Sequence, residues 1–119
     1  MKILIIEDEE LVLKSLEFRL KKSGYDVVKA IDGREGLKKI EEESFDLIIT
    51  DIMLPFNTGL EIVNKVKTTT GKKIPVIILS NVGLEHVVLE AFKLGADDYI
   101  TKPFSPIELS VRVKRLLNQ

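Results

Sequence analysis

Short runs of branched apolar residues alternate along the chain with longer segments in which apolar residues recur every three or four positions. The runs are typical of strands that are buried on both faces, and the recurring pattern is typical of amphipathic helices. Strands are predicted at 3–6, 25–30, 47–49, 76–79 and 99–101. Helices are predicted at 9–23, 34–43, 59–69 and 84–94, and a fifth begins after Ser105, where Ser-Pro-Ile-Glu has the sequence of a capping box.

Five strands that alternate with five helices through short connections predict an α/β fold. Such a (βα)5 pattern calls for a five-stranded parallel sheet that helices cover on both faces. The chain contains no internal repeat, no low-complexity stretch and no linker. We therefore predict a single domain over residues 1–119.

Composition narrows the classes of function. The 119 residues include 18 basic and 19 acidic side chains, a formal net charge of −1, which supplies no overall field for nucleic acid or an anionic membrane. There is no cysteine and only one histidine, His86, so disulfides, thiol catalysis and multi-histidine zinc sites are excluded. No apolar run approaches the roughly 18–20 residues that span a bilayer, and the start of the chain lacks the pattern of a signal peptide. We expect a cytoplasmic protein that does not bind membranes.

Polar side chains lie just after four of the five predicted strands. They are Glu7 and Asp8 after the first strand, Asp51 after the third, Ser80 after the fourth and Lys102 after the fifth. The carboxyl ends of parallel strands meet at one edge of the sheet, which is where ligands bind in open α/β folds. Three carboxylates at that edge repel one another unless a cation lies among them, and oxygen ligands alone favour Mg2+. A carboxylate beside Mg2+ and a lysine is a plausible nucleophile toward phosphorus, and its attack would give an aspartyl phosphate.

Three segments carry a specific resemblance to a known family. They are ILIIEDE at 3–9, DLIITDIMLP at 46–55 and GADDYITKPF at 95–104. In this order and at these separations they resemble the receiver domain of two-component response regulators, the CheY-like family, over essentially the whole chain. The resemblance implies a doubly wound, flavodoxin-like sheet with strand order 2-1-3-4-5.

The resemblance also implies a role for each residue of the acidic edge. Asp51 would accept a phosphoryl group from a sensor histidine kinase, a phosphotransfer protein or a small phosphodonor. Asp8 would bind Mg2+ directly, Glu7 would bind it through water, and the backbone carbonyl of Met53 would be a further ligand. Lys102 would hold a phosphoryl oxygen. The protein would catalyse only its own phosphorylation and dephosphorylation, so it would not be an enzyme in the usual sense.

Signalling would follow from the same resemblance. Ser80 would hydrogen-bond the phosphoryl group, and Tyr99 would rotate inward and alter the surface formed by the fourth helix, the fifth strand and the fifth helix. The Lys102–Pro103 peptide bond is expected to be cis. The chain could be a stand-alone receiver or part of a DNA-binding transcription regulator, but it has no DNA-binding face of its own.

The fourth predicted helix suggests a partner surface. We expect Leu89 and Phe92 to face the sheet, which leaves Leu84, Val87 and Val88 largely on other faces. An exposed apolar patch usually marks an interaction site, so we hypothesise phosphorylation-linked dimerisation or a partner contact there. The alternative is a helix that is buried more deeply.

Other interpretations remain open for single residues and for the whole chain. Glu7 and Asp8 could cap the first helix, Asp51 could be a turn residue, and Asn81, where the family commonly has Ala or Gly, could narrow access to the site. An aspartate-nucleophile phosphatase would generally carry a second aspartate in place of Met53. A flavin or nucleotide site would need a glycine-rich loop, where this chain has four acidic residues. A non-phosphorylated interaction module of the same fold is the main alternative.

Overall fold

The computed structural model describes residues 1–69 and 73–118, in which five strands alternate with five helices. The strands are β1 (Lys2–Ile6), β2 (Asp26–Ala30), β3 (Leu47–Asp51), β4 (Val76–Asn81) and β5 (Asp98–Lys102). The helices are α1 (Glu10–Lys22), α2 (Gly33–Glu42), α3 (Gly59–Thr68), α4 (Glu85–Lys93) and α5 (Pro106–Leu117). Residues 70–72 and 119 of the predicted domain lie outside the described residues.

All neighbouring strands are parallel, and their order across the sheet is β2-β1-β3-β4-β5. This confirms the predicted doubly wound (βα)5 architecture. The order reverses at β1 and β3, so the carboxyl ends of these two strands flank the crevice where such sheets bind ligands.

Two apolar clusters cover the two faces of the sheet. Alternate residues of each strand point to opposite faces, so Leu4 and Ile6 join one cluster while Ile3 and Ile5 join the other. Helices α2, α3 and α4 pack on the first face, and α1 and α5 pack on the second. Burial on both faces explains why the central strands are continuous apolar runs.

Side-chain caps fix the starts of three helices. Asp32 accepts a hydrogen bond from the backbone N–H of Glu35 at 2.7 Å, and Thr58 forms a complete capping box with Glu61 at the start of α3. Ser105 accepts from the N–H of Glu108 at 3.0 Å, which confirms the predicted cap. Within the described residues, the Glu108 side chain does not return the second hydrogen bond of the predicted capping box to the backbone N–H of Ser105. Its carboxylate lies 3.4 Å from Arg112 instead.

The predicted orientation of α4 is wrong. Val88 and Ala91 face the sheet and are buried, whereas Leu89 is 57% exposed and Phe92 is 38% exposed. Leu84 and Val87, expected on outer faces, are half-buried against the core. The exposed apolar side chains of this helix are therefore Leu89 and Phe92.

Among residues 1–69 and 73–118, no helix combines the length and the apolar character that crossing a bilayer requires.

Candidate functional site

The ends of β1, β3, β4 and β5 bring the predicted polar residues to one edge of the sheet. Strand pairing places Asp51 opposite Leu79, which precedes Ser80, and places Asn81 opposite Lys102. The buried apolar residues of each strand fix this register, because a shift by one residue would turn every core side chain to the other face. The positions of the site residues thus follow directly from the packing of the sheet.

Asp51 is held in one orientation by two hydrogen bonds. Its side chain is almost entirely buried, Oδ1 accepts from the backbone N–H of Met53 at 3.0 Å, and Oδ2 accepts from Nζ of Lys102 at 2.5 Å. Gly59 packs closely behind this turn, since a Cβ there would lie 2.6 Å from the carbonyl oxygen of Asp51. The Asp51 carboxylate is therefore oriented before any ligand arrives.

Lys102 links the acidic residues of the site. In addition to Asp51, its Nζ lies 2.6 Å from Oε1 of Glu7 and 3.4 Å from Oε1 of Glu9. Burial alone would lower the pKa of the Lys102 ammonium, but close pairing with Asp51 and Glu7 outweighs it and raises the pKa above its ordinary value. Lys102 consequently stays charged over the physiological range. The peptide bond that follows it, Lys102–Pro103, is cis, as expected.

Glu7 is fully buried beside this ammonium. Burial raises the pKa of its carboxyl to about 7, and the lowering effects of Lys102 and of the Glu9 N–H offset this only in part. Oε2 accepts the Glu9 N–H at 3.0 Å, while Oε1 has the lysine as an ion-pair partner but accepts no hydrogen bond of suitable geometry in the described part of the chain. Such an oxygen has a free lone pair for a cation or for a water bound to one.

Glu7, Asp8 and Asp51 offer carboxylate oxygens that all lie within 4.8 Å of one another. Asp8 is exposed and the other two are buried, so the cluster opens to solvent on one side. An all-oxygen donor set of this size, with an incompletely satisfied buried oxygen, fits Mg2+, which binds one or two carboxylates and retains waters. Met53, whose carbonyl was predicted as a further ligand, follows Asp51 in the same turn, and its side chain is 53% exposed.

The side chains of Ser80 and Tyr99 have partners outside the acidic cluster in this structure. The Ser80 hydroxyl is buried and donates to the carbonyl of Asn81 at 3.0 Å. Tyr99 is 39% exposed and meets Phe92 edge to face, with ring centroids 5.9 Å apart. Both side chains would have to change rotamer to take the roles that the sequence suggested.

Sequence reasoning missed two contributors to the site. Glu9 contacts both Glu7 and Lys102, and Gly59 provides the close approach behind Asp51. The available signal for Gly59 was its place at the first residue of the predicted helix 59–69, whereas nothing in the sequence distinguishes Glu9 from its acidic neighbours. The capping interpretation of Glu7 and Asp8 receives little support, because α1 begins after Glu9 without a side-chain cap.

Comparison with known proteins gives a consistent result. Residues 3–114 match the family described as the response regulator receiver domain. The alkaline phosphatase synthesis transcriptional regulatory protein PhoP of Bacillus subtilis is 43% identical over 118 residues, which are 99% of this chain and 49% of the relative. The chain thus spans about half the length of this curated relative.

Solved structures share the fold over nearly the whole chain. A response regulator receiver domain protein from Clostridium thermocellum is 34% identical with a TM-score of 0.91, covering 98% of this chain and 94% of that one. The receiver domain of a sensor histidine kinase from Pseudomonas aeruginosa is 27% identical with a TM-score of 0.89, covering 99% and 98%. The latter structure has a magnesium ion coordinated in its active-site cleft.

Proposed function

Because this chain belongs to the response regulator receiver family of two-component systems, we propose that it accepts a phosphoryl group on Asp51 in a Mg2+-dependent reaction. The observation that carries the proposal is the pair of hydrogen bonds on Asp51, one from Met53 N–H and one from the Lys102 ammonium. They orient a buried carboxylate and place a cation where the charge of an incoming phosphoryl group would need to be offset.

The transfer is a displacement at phosphorus. A carboxylate oxygen of Asp51 forms a bond to phosphorus while the phosphorus–nitrogen bond of a phosphohistidine donor breaks. The electron pair of that bond stays on the imidazole nitrogen, and the product is an aspartyl phosphate. Lys102, already within 2.5 Å of Asp51, would then hold a phosphoryl oxygen. The protein acts once on its own side chain and turns over no separate substrate.

Asp8, Asp51 and the Met53 carbonyl would hold Mg2+ directly, and Glu7 would hold it through water. The ion supplies neutralisation of phosphoryl and carboxylate charge. The oxygen cluster of Glu7, Asp8 and Asp51 supports this assignment, as does the magnesium ion in the Pseudomonas aeruginosa receiver. Removal of the ion would leave two buried carboxylates with Lys102 alone to balance them.

Signal output would proceed through Ser80 and Tyr99. Ser80 exchanges its bond to the Asn81 carbonyl for one to a phosphoryl oxygen, and Tyr99 moves inward from its contact with Phe92. These shifts would remodel the surface of α4, β5 and α5. Because Leu89 and Phe92 leave that surface partly apolar, we include a phosphorylation-linked homodimer in the proposal.

The partner that supplies the phosphoryl group would be a sensor histidine kinase or a phosphotransfer protein in the cytoplasm. The similarity to a transcriptional regulatory protein about twice as long supports a role as the receiver part of such a regulator. With a net charge of −1, this domain would leave DNA contact to another part of the protein.

The proposal is tested by intact mass after incubation with Mg2+ and acetyl phosphate. The native chain should gain one phosphoryl group, Asp51→Asn should gain none, and Asp26→Asn, which neutralises an exposed carboxylate on β2, should behave as the native chain. A gain on Asp51→Asn would identify a different acceptor. No gain on a folded native chain that binds Mg2+ would favour a non-phosphorylated interaction module.

A further inference from the structure

Phe56 has a backbone conformation that its side chain disfavours. Its φ is +69°, in the left-handed region that glycine adopts freely and bulky residues rarely adopt. The residue is 67% exposed, so burial of the ring in the core does not compensate for this conformation. A strained, exposed aromatic residue five positions after Asp51 calls for a local explanation.

A cation from a neighbouring helix covers the ring. The guanidinium carbon of Arg34, in the first turn of α2, lies 4.1 Å from the centroid of Phe56. This distance is well within the range of a cation–π contact, and arginine also stacks on aromatic faces. The contact joins the start of α2 to the loop between β3 and α3.

Two backbone contacts join the same pair of segments. The N–H of Gly33 donates to the carbonyl of Pro55 at 3.2 Å, and a Cβ on Gly33 would overlap the carbonyl of Asn57. Pro55, Phe56 and Asn57 therefore all rest against the first turn of α2. The other end of the loop is fixed where the N–H of Gly59 donates to the carbonyl of Ile52 at 2.9 Å.

The loop held in this way carries Met53, whose N–H binds the acceptor carboxylate. We propose that the contact between Arg34 and Phe56 is a latch that positions loop 53–58, and with it the Met53 peptide, for Mg2+ binding and phosphoryl acceptance at Asp51. Arg34 and Phe56 are positioning residues that act through Met53. The latch itself concerns only the conformation of the loop. Its effect on Mg2+ binding and phosphoryl acceptance rests on the proposed function.

Two substitutions of Phe56, by alanine and by glycine, test whether the contact with Arg34 matters because it holds residue 56 at positive φ. Phe56→Ala removes the contact but keeps a Cβ that disfavours positive φ, so the loop should shift to other conformations. Phe56→Gly also removes the contact, yet glycine accepts positive φ without strain. We expect Phe56→Gly to stay close to the native chain while Phe56→Ala and Arg34→Ala both lose Mg2+ affinity.

The measurement is a Mg2+ titration that is monitored by two-dimensional NMR spectra of the backbone amides. Arg34→Ala and Phe56→Ala should weaken Mg2+ binding by about two- to fivefold, the range of an exposed cation–π contact. Arg34→Ala should have no further effect in the Phe56→Gly background. Lys38→Ala, which removes an exposed positive charge one turn farther along α2, should leave Mg2+ affinity unchanged.

The amide resonances of Met53 and Phe56 without Mg2+ provide a second readout. They should shift or broaden in Arg34→Ala and Phe56→Ala and remain in place in Lys38→Ala. Native resonances and native Mg2+ affinity in Arg34→Ala would overturn the latch, as would a loss in Arg34→Ala that persists undiminished in the Phe56→Gly background, where no ring is left to contact. A native chain that binds no Mg2+ would instead contradict the proposed function, while the metal-free spectra would still decide whether the latch exists.

Discussion

The buried charges around Asp51 are unbalanced when every carboxylate is ionised. Lys102 faces Asp51 and Glu7 at 2.5 and 2.6 Å, and the exposed Asp8 adds a third negative charge to the cluster. One ammonium cannot neutralise three carboxylates. Burial raises the pKa of Glu7 and the charge of Asp51 raises it further, so this carboxyl takes up a proton more readily than an exposed glutamate does.

The raised pKa predicts that the contribution of Glu7 to the free energy of unfolding falls as the pH rises. Its pKa is about 7 in the folded protein and 4.5 as the ordinary value, so the folded state retains a proton that the unfolded state has lost. The stabilising contribution is complete below the ordinary pKa and is lost as the pH rises through about 7. Without Mg2+, the native chain should therefore lose stability relative to Glu7→Gln between about pH 5 and pH 8.

Urea denaturation of both proteins at several pH values measures this difference. Saturating Mg2+ should reduce the loss of stability of the native chain at high pH, because the ion binds the deprotonated carboxylates of the cluster. A constant difference across the pH range would show that Glu7 titrates as an exposed carboxyl.

The lifetime of the phosphorylated form depends on what surrounds the acceptor. The resemblance to receiver domains implies that two positions set this lifetime: the second residue after Asp51 and the second residue after Ser80. Here these residues are Met53 and Val82. Both are apolar, at 53% and 78% exposure, and neither can orient an attacking water. We predict slow loss of phosphate, and acceleration by at least about tenfold in Val82→Glu, whose carboxylate can act as a base.

Release of phosphate from the phosphorylated protein with Mg2+ present would be followed over time. Val111→Glu, which adds the same charge on an exposed position of α5, serves as the control and should leave the rate unchanged. Phosphate release within seconds from the native chain would refute the prediction.

Helix α4 shows why the inner face of a short apolar helix was hard to predict. Leu84, Val87, Val88, Leu89 and Phe92 offer more than one apolar stripe, and the choice of Leu89 and Phe92 favoured the largest side chains. The structure instead buries Val88 and Ala91. A small residue lets the helix approach the sheet closely, a packing preference that hydrophobicity alone does not express.

The positions of the central strands were predictable because few other structures accommodate a short, continuous run of branched apolar residues. Residues Ile3 to Ile6 and Leu47 to Thr50 are buried on both faces, so their apolar runs locate the strands and the polar residues at their ends. The hydroxyl orientation of Ser80 and the positive φ of Phe56 were not predictable in the same way. Phe56 contacts Arg34 of α2, a different segment, and the Ser80 hydroxyl bonds to the carbonyl of its neighbour Asn81, a choice of rotamer that the pattern of apolar residues does not encode.

The corrected orientation of α4 gives a prediction for two adjacent residues. Val88→Ala should cost about 2 kcal/mol of unfolding free energy because it opens a cavity in the core. Leu89→Glu should change stability by no more than about 0.5 kcal/mol, since the side chain is exposed, yet weaken self-association of the phosphorylated protein.

Urea denaturation gives the two stabilities, and sedimentation of the phosphorylated forms gives the association. Equal destabilisation by the two substitutions would contradict the observed orientation. Unaltered association in Leu89→Glu would remove this face from the proposed dimer.

Strands β1 to β4 contribute side chains to both apolar clusters, so neither cluster can lose its structure without exposing the sheet that supports the other. We predict a single cooperative unfolding transition, with equal calorimetric and van't Hoff enthalpies. Leu16→Ala on the α1 face and Val63→Ala on the α3 face should each lower the midpoint without splitting the transition. A second transition in either variant would show that the faces unfold separately.

The outer strand β2 has a consequence for how the protein behaves in crowded solutions. An unpaired strand edge is a template on which another chain can add a strand and begin a fibril. β2 has only five residues, exposes Asp26 and Lys29, and ties Lys29 to Glu17 of α1 at 3.2 Å. Charges on a short edge oppose the addition of an apolar strand, so this side of the sheet is protected against edge-to-edge aggregation.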